Sequence, residues 1–330
     1  MSESRITMEN PRISVVLSVF NGIPHLRESI ESILDQTFDD IELILIDDGS
    51  TDDTPRIVES FTDKRIRKIR HEKNIGLTKS LNEGLRLARG KYMARQDSDD
   101  ISLPERLSKQ YAFMEKHPDI VLTGCGAEII DNEGKKVSSF VPVTDPTVLA
   151  RTSSEKCQIF HPSIIFRNDC GIYYREKFIY SQDYDLYLRL LTQGKKIANM
   201  PDILIRYRLS PGAISYSKRT HQFLFSRKAR EFYEQRIRTG KDFYEDFNTD
   251  SVISINADNT EDSEILLNEL KASVEIEDLQ RIRSFYVKYL LARKRLDRYL
   301  VYFLISFLPA KFLRLVKKLN SKKRAGKLNE

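Results

Sequence analysis

The chain has 330 residues, 40% hydrophobic and 31% charged, enough for one large α/β domain with a smaller appendage. Its three cysteines, Cys125, Cys157 and Cys170, form no CxxC pair, which argues against a disulfide framework or a structural zinc and predicts a reducing compartment. The formal net charge of +6 conceals an asymmetry: residues 281–330 hold 15 Lys and Arg against 2 Asp and Glu, leaving 39 against 46 in residues 1–280, so an acidic body carries a basic, phosphate-seeking tail.

Met1 to Arg12 is polar and contains no apolar core, so no signal peptide is expected. Ile13 to Phe20 reads as a buried strand closed by Asn21-Gly22. A helix follows with Leu26, Ile30, Ile33 and Leu34 on one face. Ile41–Ile46 is the next strand, and residues 54–61 the next helix. Leu77, Leu81, Leu85 and Ala88 mark a helix stopped by Gly90, and residues 92–95 a strand. Ser102-Leu103-Pro104-Glu105 has the form of a capping box, opening a helix that buries Leu107, Tyr111 and Met114. Strands alternating with helices predict a mainly parallel sheet with right-handed crossovers. Beyond residue 118 the pattern loosens. Residues 120–123, 129–130 and 163–166 look like strands, and Asp131-Asn132-Glu133-Gly134 like a hairpin turn. An amphipathic helix is expected over 183–191 and a strand over 203–209. The segments after about 216 are helical, with an acidic linker near 241–263.

Two acidic clusters stand out, each at the end of an apolar run: Asp47-Asp48-Gly49-Ser50 and Asp97-Ser98-Asp99-Asp100. Each alone is also what a polar turn before a helix looks like. Together, at the carboxyl ends of two strands, they point to a metal and a nucleotide. Ligands of open α/β sheets bind there, and Mg²⁺ or Mn²⁺ takes carboxylates plus substrate phosphates. Asp97 and Asp99 are the metal-ligand candidates. Lys79, early in a helix after Gly76, is a candidate for the diphosphate, and Arg95, Arg206 and Arg208 are either phosphate contacts or structural pairs. His161 either lines an acceptor pocket or is a structural histidine.

As a set, these motifs resemble the family 2 glycosyltransferases, which have the GT-A fold. The run from Ser14 to Gly22 is similar to that family's first strand and nucleotide loop, which makes Phe20 and Asn21 candidate nucleotide contacts. Glu31 to Thr37 followed by Ile46 to Asp52, then Asn74-Ile75-Gly76-Leu77, then Ala94 to Asp100, match its motifs in order. Gln182-Asp183-Tyr184-Asp185-Leu186 resembles its acceptor-side motif. The resemblance covers about residues 11–215. It implies that Asp48 contacts the base of a nucleotide sugar, usually uracil, that Asp97 lies near the ribose with Ser98 a further nucleotide-binding candidate, that Asp99 binds the metal, and that Asp183 is the catalytic base of an inverting transfer. Asp185, two residues on at a helix start, should point elsewhere. Two departures are visible: Gln182 where many relatives have Glu, and Ser210 where many have a metal-binding His. The Gln-x-x-Arg-Trp pattern of processive synthases is absent, since the chain has no Trp, which favours single additions.

The expected organisation is a GT-A domain over 1–215, a helical extension over 216–298, and a basic amphipathic tail over 299–330. Tyr299–Leu308 is apolar but too short to cross a bilayer. Phe312, Leu315, Val316 and Leu319 form one helical face, with Lys311, Arg314 and Lys318 off it. This predicts an interfacial helix on an anionic membrane, or else a packing helix. The leading function is therefore a cytoplasmic-face glycosyltransferase acting on a lipid-linked glycan or polysaccharide with Mn²⁺ or Mg²⁺. The alternative is a non-catalytic protein of the same fold that docks through its tail. A nucleotidylyltransferase would need a Gly-rich basic loop that residues 13–25 lack. Nucleic-acid binding lacks a recognition motif.

Overall fold

The computed structural model describes residues 10–209, 218–275, 277–293, 299–308, 313–314 and 316–317. Four parallel strands form its N-terminal half: β1 (Ile13–Val19), β2 (Ile41–Asp47), β3 (Ile66–Arg70) and β4 (Tyr92–Asp97). Between them run α1 (Leu26–Leu34), α2 (Thr54–Ser60) and α3 (Leu77–Leu87). Every residue of β1 and β2 is buried, as expected of strands covered on both faces, which is why both read as unbroken apolar runs. Side chains alternate across the sheet. Val15, Leu17, Leu43, Leu45 and Ala94 pack on α1 and on Leu107 and Met114 of α4 (Arg106–Lys116). Val16, Ile44, Ile46 and Met93 pack on α3 and on Leu186 and Leu190 of α6 (Gln182–Thr192).

The other half adds β5 (Ile101–Ser102), β6 (Ile120–Ile130), β7 (Lys136–Phe140), α5 (Pro146–Thr152), β8 (Ile165–Arg167) and β9 (Lys196–Arg208). The sheet order is β3-β2-β1-β4-β8-β6-β9-β5, with β7 on β6. Here pairing is mixed: β6–β9 is parallel, while β4–β8, β6–β8, β6–β7 and β5–β9 are antiparallel. The two short strands expected within 120–130 are one long strand, and the turn at Asp131 to Gly134 joins it to β7.

The capping box at Ser102 is a correction. Ser102 lies in β5, its hydroxyl donates to Gln96, and α4 begins later, at Arg106, without a side-chain cap. The buried Arg106 explains the geometry. Its guanidinium donates to Gln96 Oε1, Ser102 Oγ, Gln110 Oε1 and the Arg95 carbonyl. Satisfying that cation takes the hydroxyl that a cap would have used.

The chain divides into two compact units. One holds the sheet together with Ser226–Phe247; the other holds Lys218–Phe225 and the chain from Asn248 onward. The division falls inside α7 (Arg219–Thr239). Within the first unit, Asp242 pairs with Arg175 at 2.8 Å and with Arg236, and Tyr244 packs near Phe178. Asp242 at the start of the acidic stretch is thus drawn between two arginines, and α8 (Asp250–Ile253) follows later in the stretch. The second unit is helical. Leu266 and Leu270 of α9 (Ser263–Glu275) meet Ile282, Phe285, Tyr286 and Tyr289 of α10 (Leu279–Arg293). The apolar run of α11 (Leu300–Ile305) and its flanks splits by side: Tyr299, Tyr302 and Phe303 join this core, while Val301, Leu304, Phe307 and Leu308 are exposed. Among the described residues no helix is long and apolar enough to cross a membrane. Ser210, Lys311, Phe312, Leu315, Lys318 and Leu319 lie outside the described residues.

Candidate active site

Register alone brings the two acidic clusters together. Val19 pairs with Asp47 and Ser18 with Asp97, so the ends of β2 and β4 flank the end of β1. Phe20 follows β1 with 47% of its surface exposed. Asn21 adopts φ 53°. Its backbone N–H donates to Ser50 Oγ (2.9 Å), and its Oδ1 accepts from Thr51 N (2.9 Å), clamping the β1 loop to the β2 loop.

Gly49 has φ 73°, and a Cβ there would lie 2.4–2.7 Å from the backbone of Lys73 and Asn74. The glycine lets the segment before α3 close on the β2 loop. Gly49→Ala combines left-handed strain with overpacking against main chain, and is expected to cost about 2–4 kcal/mol in urea unfolding.

Asp48 is 2% exposed and organises that segment. Oδ1 accepts from Ile75 N at 2.9 Å, and Oδ2 from Gly76 N at 3.0 Å. Oδ1 also meets His71 Nδ1 at 2.7 Å, and His71 Nε2 meets Glu83 of α3 at 2.9 Å. Burial alone would lower the His71 pKa, but the bonds to Asp48 and Glu83 win and raise it. Neither His71 nor Glu83 emerges from the sequence reading. Lys79 is exposed on α3 and joins none of these bonds.

Asp97 ends β4, and Ser98 and Asp99 form the turn after it. Arg95 alternates onto the same face as Asp97 and donates to Asp97 Oδ1. Arg95 is 4% exposed, and among the described residues its Nε and Nη1 have no hydrogen-bond partner. Burial works against its charge, but Asp97 more than restores it, so its pKa is raised. Asp100 is buried and accepts from Arg208 N at 2.8 Å. Burial first, then Asp97 and Asp99, push its carboxyl well above the usual range. The Arg208 guanidinium donates to the Asp99 carbonyl and to Glu28, fixing the turn, whereas Arg206 pairs with Glu128 across the parallel β6–β9 register.

Among the described residues no three His, Cys, Asp or Glu side chains form a metal cluster. The donor set that is present, the hard carboxylates of Asp97 and Asp99 on one turn, fits a Mg²⁺ or Mn²⁺ completed by phosphate oxygens and water.

Asp183 reaches this end of the sheet through α3. Asn82 donates to the Tyr174 carbonyl and accepts from Tyr174 N, both at 2.9 Å, and Thr78 donates to the Phe178 carbonyl at 2.8 Å. The tied segment leads to Ser181, at φ 52°, and then to α6. Gln182 is buried, and Asp183 is partly exposed in the first turn. Among the described residues Asp183 forms no ion pair. Burial raises its pKa, opposed by backbone N–H groups and the charge of Arg95. Asp185 differs: it is fully buried, with Arg189 at 3.0 Å and Arg175 at 3.7 Å. His161 is buried, with Nε2 2.8 Å from Tyr174 OH. Burial, then Arg95, pushes its pKa well down, so it is a neutral imidazole.

The family profile described as "Glycosyl transferase family 2" matches residues 14–180. This chain belongs to glycosyltransferase family 2. The amylovoran biosynthesis glycosyltransferase AmsE of Erwinia amylovora is 33% identical over 203 residues, 59% of this chain and 75% of AmsE. The S. aureus TarS fragment 1–349, solved with UDP-GlcNAc, superposes with a TM-score of 0.54 at 17% identity, covering 85% of this chain and 89% of that one. The mannosyltransferase PcManGT of Pyrobaculum calidifontis, solved with GDP-Man and Mn²⁺, gives 0.52 at 16% identity, covering 94% and 88%. These likenesses establish the GT-A fold for the family 2 glycosyltransferase described here.

Proposed function

We propose that this glycosyltransferase moves one sugar per encounter, with inversion, from a UDP-sugar to a hydroxyl of a lipid-linked glycan or polysaccharide. The observation that carries the reading is the disposition of three carboxylates. The buried Arg95 donates to Asp97 and its charge also acts on Asp183, which keeps its carboxylate out of ion pairs among the described residues, while Asp185 is committed to arginines. In this reading Asp183 takes the proton of the acceptor hydroxyl as its oxygen attacks the anomeric carbon. The bond from that carbon to the diphosphate oxygen breaks, and the nucleoside diphosphate leaves with the electron pair. Asp97 and Asp99 would hold Mn²⁺ or Mg²⁺, which when bound neutralises the diphosphate without proton transfer. Phe20 offers a ring face to the base, Asp48 an acceptor to its N–H, and Ser98 lies beside the ribose. AmsE is named for amylovoran biosynthesis, and WbnJ of Escherichia coli, 30% identical over 233 residues, for O-antigen biosynthesis, which supports the acceptor class. A screen of UDP- and GDP-sugars with and without Mn²⁺, reading released nucleoside diphosphate, tests the donor half. Mn²⁺-dependent release from a UDP-sugar is expected; release from none of them would defeat the reading.

The same proposal places the second unit on the cytoplasmic face of an anionic membrane. Its support is the exposed apolar set Val301, Leu304, Phe307 and Leu308 in a segment rich in Lys and Arg. Deleting the tail would also strip Tyr299 and Phe303 from the helical core, so point changes on the outward side are the cleaner test. Leu304→Glu with Phe307→Glu should release the protein from anionic liposomes in co-sedimentation while leaving its melting temperature within a few degrees. Sedimentation equal to wild type would favour a packing role for this segment.

A further inference from the structure

The bonds around Asp48 do more than shape a loop. Because Asp47 pairs with Arg70 in the parallel β2–β3 register, the next residues, Asp48 and His71, are neighbours. An ionised carboxylate has about four acceptor positions, two on each oxygen. Oδ1 uses both of its positions, on Ile75 N and His71 Nδ1, and Oδ2 uses one, on Gly76 N. Among the described residues one acceptor position remains, and it is on Oδ2.

We propose that His71, braced by Glu83, is a positioning residue that selects the nucleobase of the donor by leaving Asp48 a single free acceptor position. This deepens the reading that Asp48 meets the base, and rests on it. A uracil presents one imide N–H flanked by two carbonyl groups, and one acceptor position satisfies it. A guanine presents two parallel donors, the ring N–H and an amino N–H. Pairing both with a carboxylate needs a free position on each oxygen, and His71 occupies the one on Oδ1. Guanine therefore enters with a donor unsatisfied and desolvated, which costs about ten- to a hundredfold in affinity. The imidazole is held from both sides, by Asp48 at 2.7 Å and Glu83 at 2.9 Å, so it cannot swing aside without breaking a second bond. The charged groups facing the ring are Asp48 from the β2 end and Glu83 from α3, and their bonds favour the imidazolium, which donates to both at once.

The test is calorimetric binding of UDP and GDP, each with Mn²⁺, to the full chain. Wild type should bind UDP about ten- to a hundredfold more tightly than GDP. His71→Ala opens the second position and should bring the two affinities within about threefold, mainly by gaining GDP. His71→Gln, whose amide can donate to Oδ1, should restore most of the preference, a rescue that loop stability alone does not predict. If His71→Ala fails to fold, Glu83→Ala removes only the brace and should narrow the ratio in the same direction. A ratio unchanged in folded His71→Ala or Glu83→Ala, or a wild type that binds GDP as well as UDP, overturns the inference. Asp48→Asn separates the two levels. UDP affinity equal to wild type in that variant sinks the Asp48–base contact itself, whereas a large loss there beside indifferent His71 variants sinks only the role of His71.

Discussion

Asp183→Asn is expected to lower sugar transfer by about 10²–10⁴-fold while UDP affinity stays near wild type, because the amide is nearly isosteric but accepts no proton at neutral pH. The structure sharpens what accompanies that loss. Burial raises the Asp183 pKa above the ordinary aspartate value of about 3.9. A base works only when ionised, so the wild-type rate should fall as pH drops through that raised pKa, at a higher pH than for an exposed aspartate. Asp185→Asn should behave differently. That carboxylate sits between Arg175 and Arg189, with Arg236 contributing to its field. Removing its charge takes the carboxylate from Arg189, while Arg175 and Arg236 keep Asp242, so stability should drop first and any loss of rate should track the folded fraction. The comparison is single-turnover transfer, UDP binding and urea unfolding on both variants. If Asp185→Asn abolishes transfer at full stability while Asp183→Asn transfers normally, the base is Asp185.

Much of the site geometry was legible because it follows from strand order. Once β1, β2 and β4 are recognised as adjacent parallel strands, residues at their carboxyl ends must meet, so Phe20, Asp48 and Asp97 come together without any long-range guess. What stayed hidden has particular causes. Strand β3, Ile-Arg-Lys-Ile-Arg, is an edge strand whose charges mask its two isoleucines. Missing it removed the register that puts His71 beside Asp48, and with it Glu83. Ser102-x-x-Glu105 matches the pattern of a helix cap, but a buried arginine competes for the same hydroxyl, and local pattern carries no information about that competitor. For Arg95 the sequence leaves phosphate contact and structural pairing both open. Only the alternation of β4, with Met93 and Arg95 turned toward the face covered by α6, shows that its charge is buried beside Asp97. The tail misleads in another way: its apolar run is contiguous in sequence, yet half of it faces the helical core of the second unit and half faces solvent.

The pairing of Arg95 with Asp97 leads to the second large effect. Asp97→Ala removes the one hydrogen-bonded partner that the Arg95 guanidinium has among the described residues, where its Nε and Nη1 are already unpartnered. A buried cation left without its counter-charge costs about 3–5 kcal/mol, so this variant should unfold at markedly lower urea. Arg95→Met with Asp97→Ala removes both charges and fills the space with an apolar chain, so it should recover most of that stability. The cycle completed by Arg95→Met alone gives the coupling energy, which is expected to reach about 1–3 kcal/mol for such a contact. Binding should not follow stability. If Asp97 and Asp99 hold the cation, Mn²⁺ should strengthen UDP binding to wild type but not to Asp97→Ala, Asp99→Asn or the stabilised double variant. A double variant as unstable as Asp97→Ala would show that the lost carboxylate matters for some reason other than Arg95. Mn²⁺-enhanced UDP binding that survives in the double variant and in Asp99→Asn would remove the metal from this turn, and the diphosphate charge would then have to be met by the chain's own cations.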